Sequence, residues 1–235
     1  MTEAALSLNN VTAGYGQTHI LQDVTLTINR GDRVAMIGRN GAGKTTLLAT
    51  VMGLTRLHRG TIKLHSQDIS NLRPHQRSML ALGLVSQTRD IFPSLTVEEN
   101  LTSVMRGDAS LDEAYALFPR LKERRKNGGT QLSGGEQQML AIARTLMTEP
   151  QIVLLDEPLE GLAPVICEQL MQAFEALAAD GKRTVLLVEQ HAAAALQFAN
   201  RAVVITNGSI VYDGGADALK QQPELLERHI GVAQA

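Results

Sequence analysis

The sequence predicts an α/β protein: a mainly parallel sheet, preceded by antiparallel strands at the N-terminus and interrupted by an inserted helical subdomain. Three observations carry this. Short apolar runs of strand type alternate with stretches of helical periodicity, the order that builds a parallel sheet with helices on its faces. A glycine-rich stretch, GRNGAGKTTL at 38–47, joins one such run to one such helix. From about residue 89 to 149 strand signals give way to hydroxyl-x-x-glutamate pairs, which mark helix starts. The expected organisation is a single domain over 1–235, with its core at 1–88 and 150–235 and the helical subdomain at about 89–149.

Leu6 and Leu8 alternate with polar residues, as do Val24, Leu26 and Ile28 in DVTLTI, so the chain opens on half-buried strands. A turn at Asn29–Asp32 leads into RVAMIG, whose unbroken apolar run suits a strand covered on both faces. A helix is expected from about Lys44 to Met52, then short strands at Thr61–Leu64 and Leu82–Val85. Thr96 with Glu99, Ser110 with Glu113 and Ser133 with Glu136 read as capping boxes, in which hydroxyl and carboxylate satisfy the free amides of a helix start. The last precedes MLAIARTLM, apolar at helical spacing. QIVLLDE and TVLLVE read as buried strands. Between them, Ile166, Leu170, Phe174 and Leu177 form one apolar helix face, with Gly181 as a stop. An alanine-rich helix follows, then AVVIT and SIVYD around Asn207-Gly208, the dipeptide of a tight hairpin.

Composition narrows the function classes. Twenty-two Lys and Arg face 24 Asp and Glu, without the basic excess that nucleic-acid binding usually shows. The single cysteine, Cys167, allows no internal disulfide and fits a reducing compartment. MTEAALSLNN lacks the apolar core of a signal peptide, and IVLL and TVLLV fall far short of a membrane span. A soluble intracellular protein is expected, with any membrane role reached through a partner.

Gly38-x-x-x-x-Gly43-Lys44-Thr45 stands between a predicted strand and a predicted helix, the context a phosphate-binding loop requires. The loop 38–46 (Gly38, Arg39, Asn40, Gly41, Ala42, Gly43, Lys44, Thr45, Thr46) can turn successive N–H groups toward phosphate oxygens, and the helix start favours anions. Lys44 reaches the β and γ phosphates, and the Thr45 hydroxyl can ligate Mg²⁺. Asp156 and Glu157 end a buried strand at its carboxyl edge, where open α/β sheets place ligands. Asp156 can hold Mg²⁺ through water, and Glu157 can polarise an attacking water. The fold class is thus a P-loop NTPase core, and the chemistry is hydrolysis of a nucleoside triphosphate.

LSGGEQQMLAIARTL, 132–146, specifies which hydrolase. Two glycines in the first turn weaken a helix by up to ~1 kcal/mol each relative to alanine, and they leave backbone amides open to an anion. The stretch resembles the signature motif of ATP-binding cassette (ABC) ATPases, and nearly the whole chain fits that family. The resemblance implies further roles. Tyr15 matches the aromatic that stacks on adenine. Gln87 matches the glutamine that joins the Mg²⁺ and water shell and reports to the membrane partner. His191 matches the switch histidine at the γ phosphate. It also implies a head-to-tail pair, homodimer or heterodimer, in which Ser133, Gly134 and Gly135 complete the opposite subunit's ATP site.

IFPSLTVEENL, ALFPRLKERR, EGLAP and LLVEQH are similar to one subgroup, the ATPases of branched-chain amino acid importers and the related urea and amide importers, and within it to the shorter of two ATPase subunits. The chain stops soon after PELLERHIG, so no regulatory domain is expected. The expected partners are a second ATPase subunit, integral membrane permeases docking beside Gln87 and the Ile91-Phe92-Pro93 turn, and indirectly a periplasmic receptor. Nucleic acid is not expected. The expected location is the cytoplasmic face of the plasma membrane. Two features depart from the pattern: Leu159 and Ala163 replace a small residue and an aspartate after Glu157-Pro158, and the Met105–Leu117 segment is short. Export of lipid or lipopolysaccharide and a non-transport ABC ATPase are the competing readings.

Overall fold

The computed structural model describes residues 3–190 and 192–230. In chain order it has β1 (Ala4–Tyr15), β2 (Thr18–Asn29), β3 (Arg33–Ile37), α1 (Lys44–Met52), β4 (Arg56–Leu64), β5 (Gln67–Asp68), α2 (Pro74–Ser78) and β6 (Leu82–Val85). Then come α3 (Val97–Thr102), α4 (Leu111–Leu117), α5 (Pro119–Glu123) and α6 (Gly134–Leu146). The chain continues with β7 (Ile152–Asp156), α7 (Pro164–Ala178), β8 (Thr184–Glu189), α8 (Ala192–Phe198), β9 (Arg201–Thr206), β10 (Ser209–Gly215), α9 (Ala216–Gln221) and α10 (Pro223–Ile230). Among the described residues no helix is long and apolar enough to cross a membrane.

Two sheets face each other. One is antiparallel, in the order β2-β1-β4-β5; the other runs β10-β9-β3-β8-β7-β6 and is parallel except for its β9–β10 edge. The apolar runs of β3, β7, β8 and β9 are explained by burial on both sides. Val34, Met36, Leu154, Leu186 and Val203 point into a core shared with the antiparallel sheet and α1. Ala35, Ile37, Leu155, Leu187 and Val204, one residue out of phase, point into a second core beneath α6, α7 and α8. At ~25 cal/mol per Å² of apolar surface removed from water, burial on both faces stabilises these central strands.

α1 and β6 begin and end where the sequence places them, because each is bounded by a strong local signal. Other elements differ. β4 starts at Arg56, not Thr61, since the polar stretch RLHRG still pairs with β1 through Ala13↔Leu57 and Gly14↔Arg56. The Ser110 box is not closed: Ser110 Oγ accepts from Asp112 N at 3.1 Å, while Glu113 turns away to accept from Arg183 Nη2 at 2.9 Å. The Thr96 and Ser133 boxes are reciprocal.

Candidate functional site: a phosphate cradle at the carboxyl ends of β3 and β7

β3 ends at Ile37 and α1 begins at Lys44, so residues 38–43 turn the chain at the carboxyl edge of the parallel sheet. Gly41 and Gly43 hold left-handed φ values of 78° and 109°, which L-residues with side chains rarely adopt. A Cβ built on Gly41 would meet nothing within 4 Å, so that face of the loop opens onto free space. From behind, the left-handed Asn207-Gly208 turn between β9 and β10 braces the loop, with Gly208 N donating to Ala42 O at 2.9 Å.

α1 starts without a side-chain cap and with no acidic residue in its first turn. Its first N–H groups therefore lack the partners a helix start normally recruits from its own side chains. The residues that carry them, Lys44, Thr45 and Thr46, line a cavity of about 390 Å³ together with Tyr15, Ile20, Gly41, Gln87 and Glu157 among others. That volume lies within the ~300–1,000 Å³ usual for small-molecule sites.

Lys44 is 4% exposed and Glu157 9%, and Lys44 Nζ sits 2.9 Å from Glu157 Oε1. The same ammonium donates to Gly38 O at 2.8 Å and Arg39 O at 3.2 Å. A buried pair of this kind is held together because either charge alone would carry a large desolvation cost. Glu157 has a left-handed φ of 46°, fixed by its N–H donating to Val188 O at 2.9 Å. That bond ties the residue after β7 back to β8 and turns its carboxylate toward the loop.

Thr45 Oγ1 donates to Asp156 Oδ1 at 3.1 Å. Burial, chiefly, pushes the Asp156 carboxyl up to about 6; the Thr45 bond and Lys44 work against that rise, and Glu157 and Glu160 add to it. Gln87, just past β6, donates through Nε2 to Glu160 Oε2. The residues fit a triphosphate with a hard divalent cation. An uncapped helix start and a lysine suit the phosphates. A hydroxyl, a carboxylate and an amide oxygen suit Mg²⁺, which is usually held by one or two carboxylates together with phosphate oxygens.

Tyr15, Asn40, Gly41, Gly43, Lys44, Thr45, Thr46, Gln87 and Glu157 line the one cavity, with Asp156 tied to it through Thr45. Tyr15 is 52% exposed at its rim. Gly38 and Arg39 contribute carbonyls to Lys44, and Ala42 is buried behind the loop. Ser133, Gly134 and Gly135 line no part of this cavity. They form the start of α6, where Gly134 lies under the Arg89 guanidinium and Gly135 is packed against Ile166. His191 lies outside the described residues.

Two acidic residues escaped sequence reasoning. Glu160 lines the cavity, and its place three residues after Glu157 was the available signal. Glu189, at the end of β8, is buried and accepts from Leu159 N at 3.1 Å. Burial, chiefly, pushes it up to about 7. Inside an apolar strand run, nothing in the sequence separated it from a solvated strand end. Beside the cradle a second hollow, about 490 Å³, is lined by Gln87, Arg89, Ile91, Gly129 and Gln137 among others. Phe92 stands near it 44% exposed, with the Arg144 guanidinium 4.6 Å above its ring, whereas Ile91 packs against the larger core.

A family profile described as "ABC transporter" matches residues 21–160. The chain is 40% identical to the Pseudomonas aeruginosa high-affinity branched-chain amino acid transport ATP-binding protein BraG, covering 96% of this chain and 99% of that one. It is 36% identical to a probable branched-chain amino acid transport ATP-binding protein, LivF, of Archaeoglobus fulgidus, over 94% and 96%. It is also 31% identical to the Escherichia coli K12 lipopolysaccharide export ATP-binding protein LptB, over 97% and 98%. Among solved structures it resembles a nucleotide-free ATP-binding cassette from an ABC transporter, at 25% identity with TM-score 0.83, covering 100% of each chain. A dimeric post-hydrolysis cassette bound to ADP and Pi is 27% identical, with TM-score 0.79, over 90% of this chain and 98% of that one.

Proposed function

Given that the chain belongs to the ABC transporter family, as an ATP-binding, ATP-hydrolysing subunit of a transporter, we propose that it powers uptake of branched-chain amino acids. In this reading it sits on the cytoplasmic face of the plasma membrane, bound to permease subunits that a periplasmic receptor supplies with substrate. The observation that supports it most is the likeness to BraG, 40% identical across almost the full length of both chains. A urea or amide importer is a variant of the same reading.

Mg²⁺, when bound, would supply positive charge to neutralise the triphosphate. Lys44 exchanges the carbonyls of Gly38 and Arg39 and the Glu157 carboxylate for phosphate oxygens. That exchange frees Glu157 Oε1 to accept a proton from an attacking water. Thr45 Oγ1, Asp156 and Gln87 would hold the cation, and Tyr15, exposed at the rim, would stack on adenine. Ser133, Gly134 and Gly135 close the site of a second ATPase subunit, since they stand away from the cradle of their own chain. The hollow beside Gln87, with exposed Phe92 near it, receives the permease.

The test is reconstitution with the neighbouring permease subunits and receptor in liposomes. Leucine, isoleucine or valine with the receptor should stimulate ATP hydrolysis and accumulate inside, and Glu157→Gln should stop both. Absence of amino-acid stimulation would overturn the assignment to branched-chain amino acids. Lipid-dependent ATPase activity instead would favour the second reading, lipopolysaccharide export, which the likeness to LptB supports.

A further inference from the structure

We infer that Glu160 is a positioning residue for the cation: it fixes which end of the Gln87 side-chain amide faces the cradle. The inference rests on the reading of Gln87 as a cation ligand. A glutamine amide is nearly symmetric in shape, and only its oxygen can ligate a metal; the NH₂ end repels one. A glutamine held by nothing else would present either end. Here Gln87 Nε2 donates to Glu160 Oε2. An ionised carboxylate only accepts hydrogen bonds, so it selects the NH₂ end, and the oxygen is left as the free end in a cavity that both residues line.

Glu160 is itself held. Its N–H donates to Glu157 O at 3.2 Å, and Arg89 Nη2 reaches its carbonyl at 3.5 Å. The segment that carries Glu157 thus also carries the group that orients Gln87, although the two are far apart in sequence. Glu160 further adds negative charge near Asp156, contributing to the rise in that carboxyl's pKa. Removal of outer groups that orient a metal's ligands typically costs 10–100-fold in metal affinity.

The test is Mn²⁺ binding to the full chain holding a non-hydrolysable ATP analogue, followed by electron paramagnetic resonance. Glu160→Ala should raise the Mn²⁺ Kd about tenfold, while analogue affinity in EDTA stays within about twofold. Glu160→Gln offers Gln87 a donor as well as an acceptor, so it no longer selects the NH₂ end, and its Kd should rise too, by no more than in Glu160→Ala. The double variant Gln87→Ala/Glu160→Ala should bind Mn²⁺ no more weakly than Gln87→Ala alone, because Glu160 acts through Gln87. An unchanged Kd in Glu160→Ala would overturn the inference. So would additive losses in the double variant, which mean that the Glu160 charge acts on the cation directly and not through Gln87. Thr45→Ala and Asp156→Asn separate this from the parent reading: if they too leave Mn²⁺ binding intact, the cation site itself is misassigned. Glu160 is exposed, so its removal leaves the core intact, and circular dichroism should confirm the fold.

Discussion

α1 and α6 both start at glycine-rich turns, yet the two starts are finished in opposite ways. α1 follows Gly43, with no capping side chain and no acid in its first turn. α6 closes on itself: Ser133 N donates to Glu136 Oε2 at 2.8 Å, and Glu136 N to Ser133 Oγ at 3.3 Å. Arg120 and Arg124 then hold the Glu136 carboxylate. The glycines differ as well. A Cβ on Gly41 would project into open space, whereas one on Gly135 would stand 2.9 Å from Ile166 Cγ2. One helix start is left for an anion to complete. The other is complete already, so its geometry is available at the surface whatever the cradle holds. Glycine at a helix start can therefore mark either a ligand's approach or a neighbour's.

The largest expected effect is chemical, at the open end. Glu157→Gln keeps an acceptor for Lys44 Nζ but loses the base, so phosphate release should fall ~10²–10⁴-fold while ATP analogue binding persists. Turnover equal to the parent's would remove Glu157 from the chemistry. Next, ATP with Mg²⁺ should complete the α1 start and stabilise the fold. At about 100 times Kd the gain is ~2.7 kcal/mol, or about 5–10 °C in Tm for a chain of this size. Lys44→Ala should abolish most of that shift in a thermal melt. A shift that survives would place the phosphates elsewhere.

A smaller effect concerns the strand end behind the cradle. Burial raises Glu189 from an ordinary 4.5 to about 7, so across that interval the folded chain keeps a proton that the unfolded chain has released. Stability contributed there falls as pH rises from about 4.5 to 7. Glu189→Gln cannot titrate, and its Oε1 can still accept from Leu159 N. Its Tm should therefore gain on the parent's from pH 5 to pH 8, each kcal/mol appearing as about 2–4 °C. A pH-independent gap would exclude the buried charge as the cause. The smallest effect is at the closed end. Ser133→Ala removes a cap worth ~1 kcal/mol, so the nucleotide-free chain should lose about 2–4 °C. A drop that appears only with nucleotide would mean that the α6 start is not self-sufficient.

Much of this architecture is legible in the sequence where one residue type serves one local need. RVAMI and IVLLD read as strands covered on both faces because both faces really are apolar. Lys44–Met52 reads as a helix because a glycine loop precedes it and Gly53 follows. Legibility fails where a long-range partner outbids a local one. Glu113 looks like a capping residue until Arg183, far along the chain, takes its carboxylate. Arg77 gave no signal, yet it is buried with its guanidinium on the carbonyls of Thr50, Val51, Ser70 and Leu72, where it stabilises the C-terminal end of α1. Sequence reasoning also singled out Gln87 and Glu157 but passed over Glu160, which is hydrogen-bonded to both.

By itself the sequence determined the α/β alternation, the phosphate loop, the acidic strand end and the capped start of α6. Each depends on neighbours within a few residues, and hydrophobic periodicity and helix-end chemistry act over that range. Only the tertiary structure decided that Lys44 pairs with Glu157, that Thr45 meets Asp156 and that Gln87 meets Glu160. Those pairs join residues from separate turns at the carboxyl ends of β3, β6 and β7. They meet because the register of parallel strands, set by burial on both faces of the sheet, brings those ends to one edge.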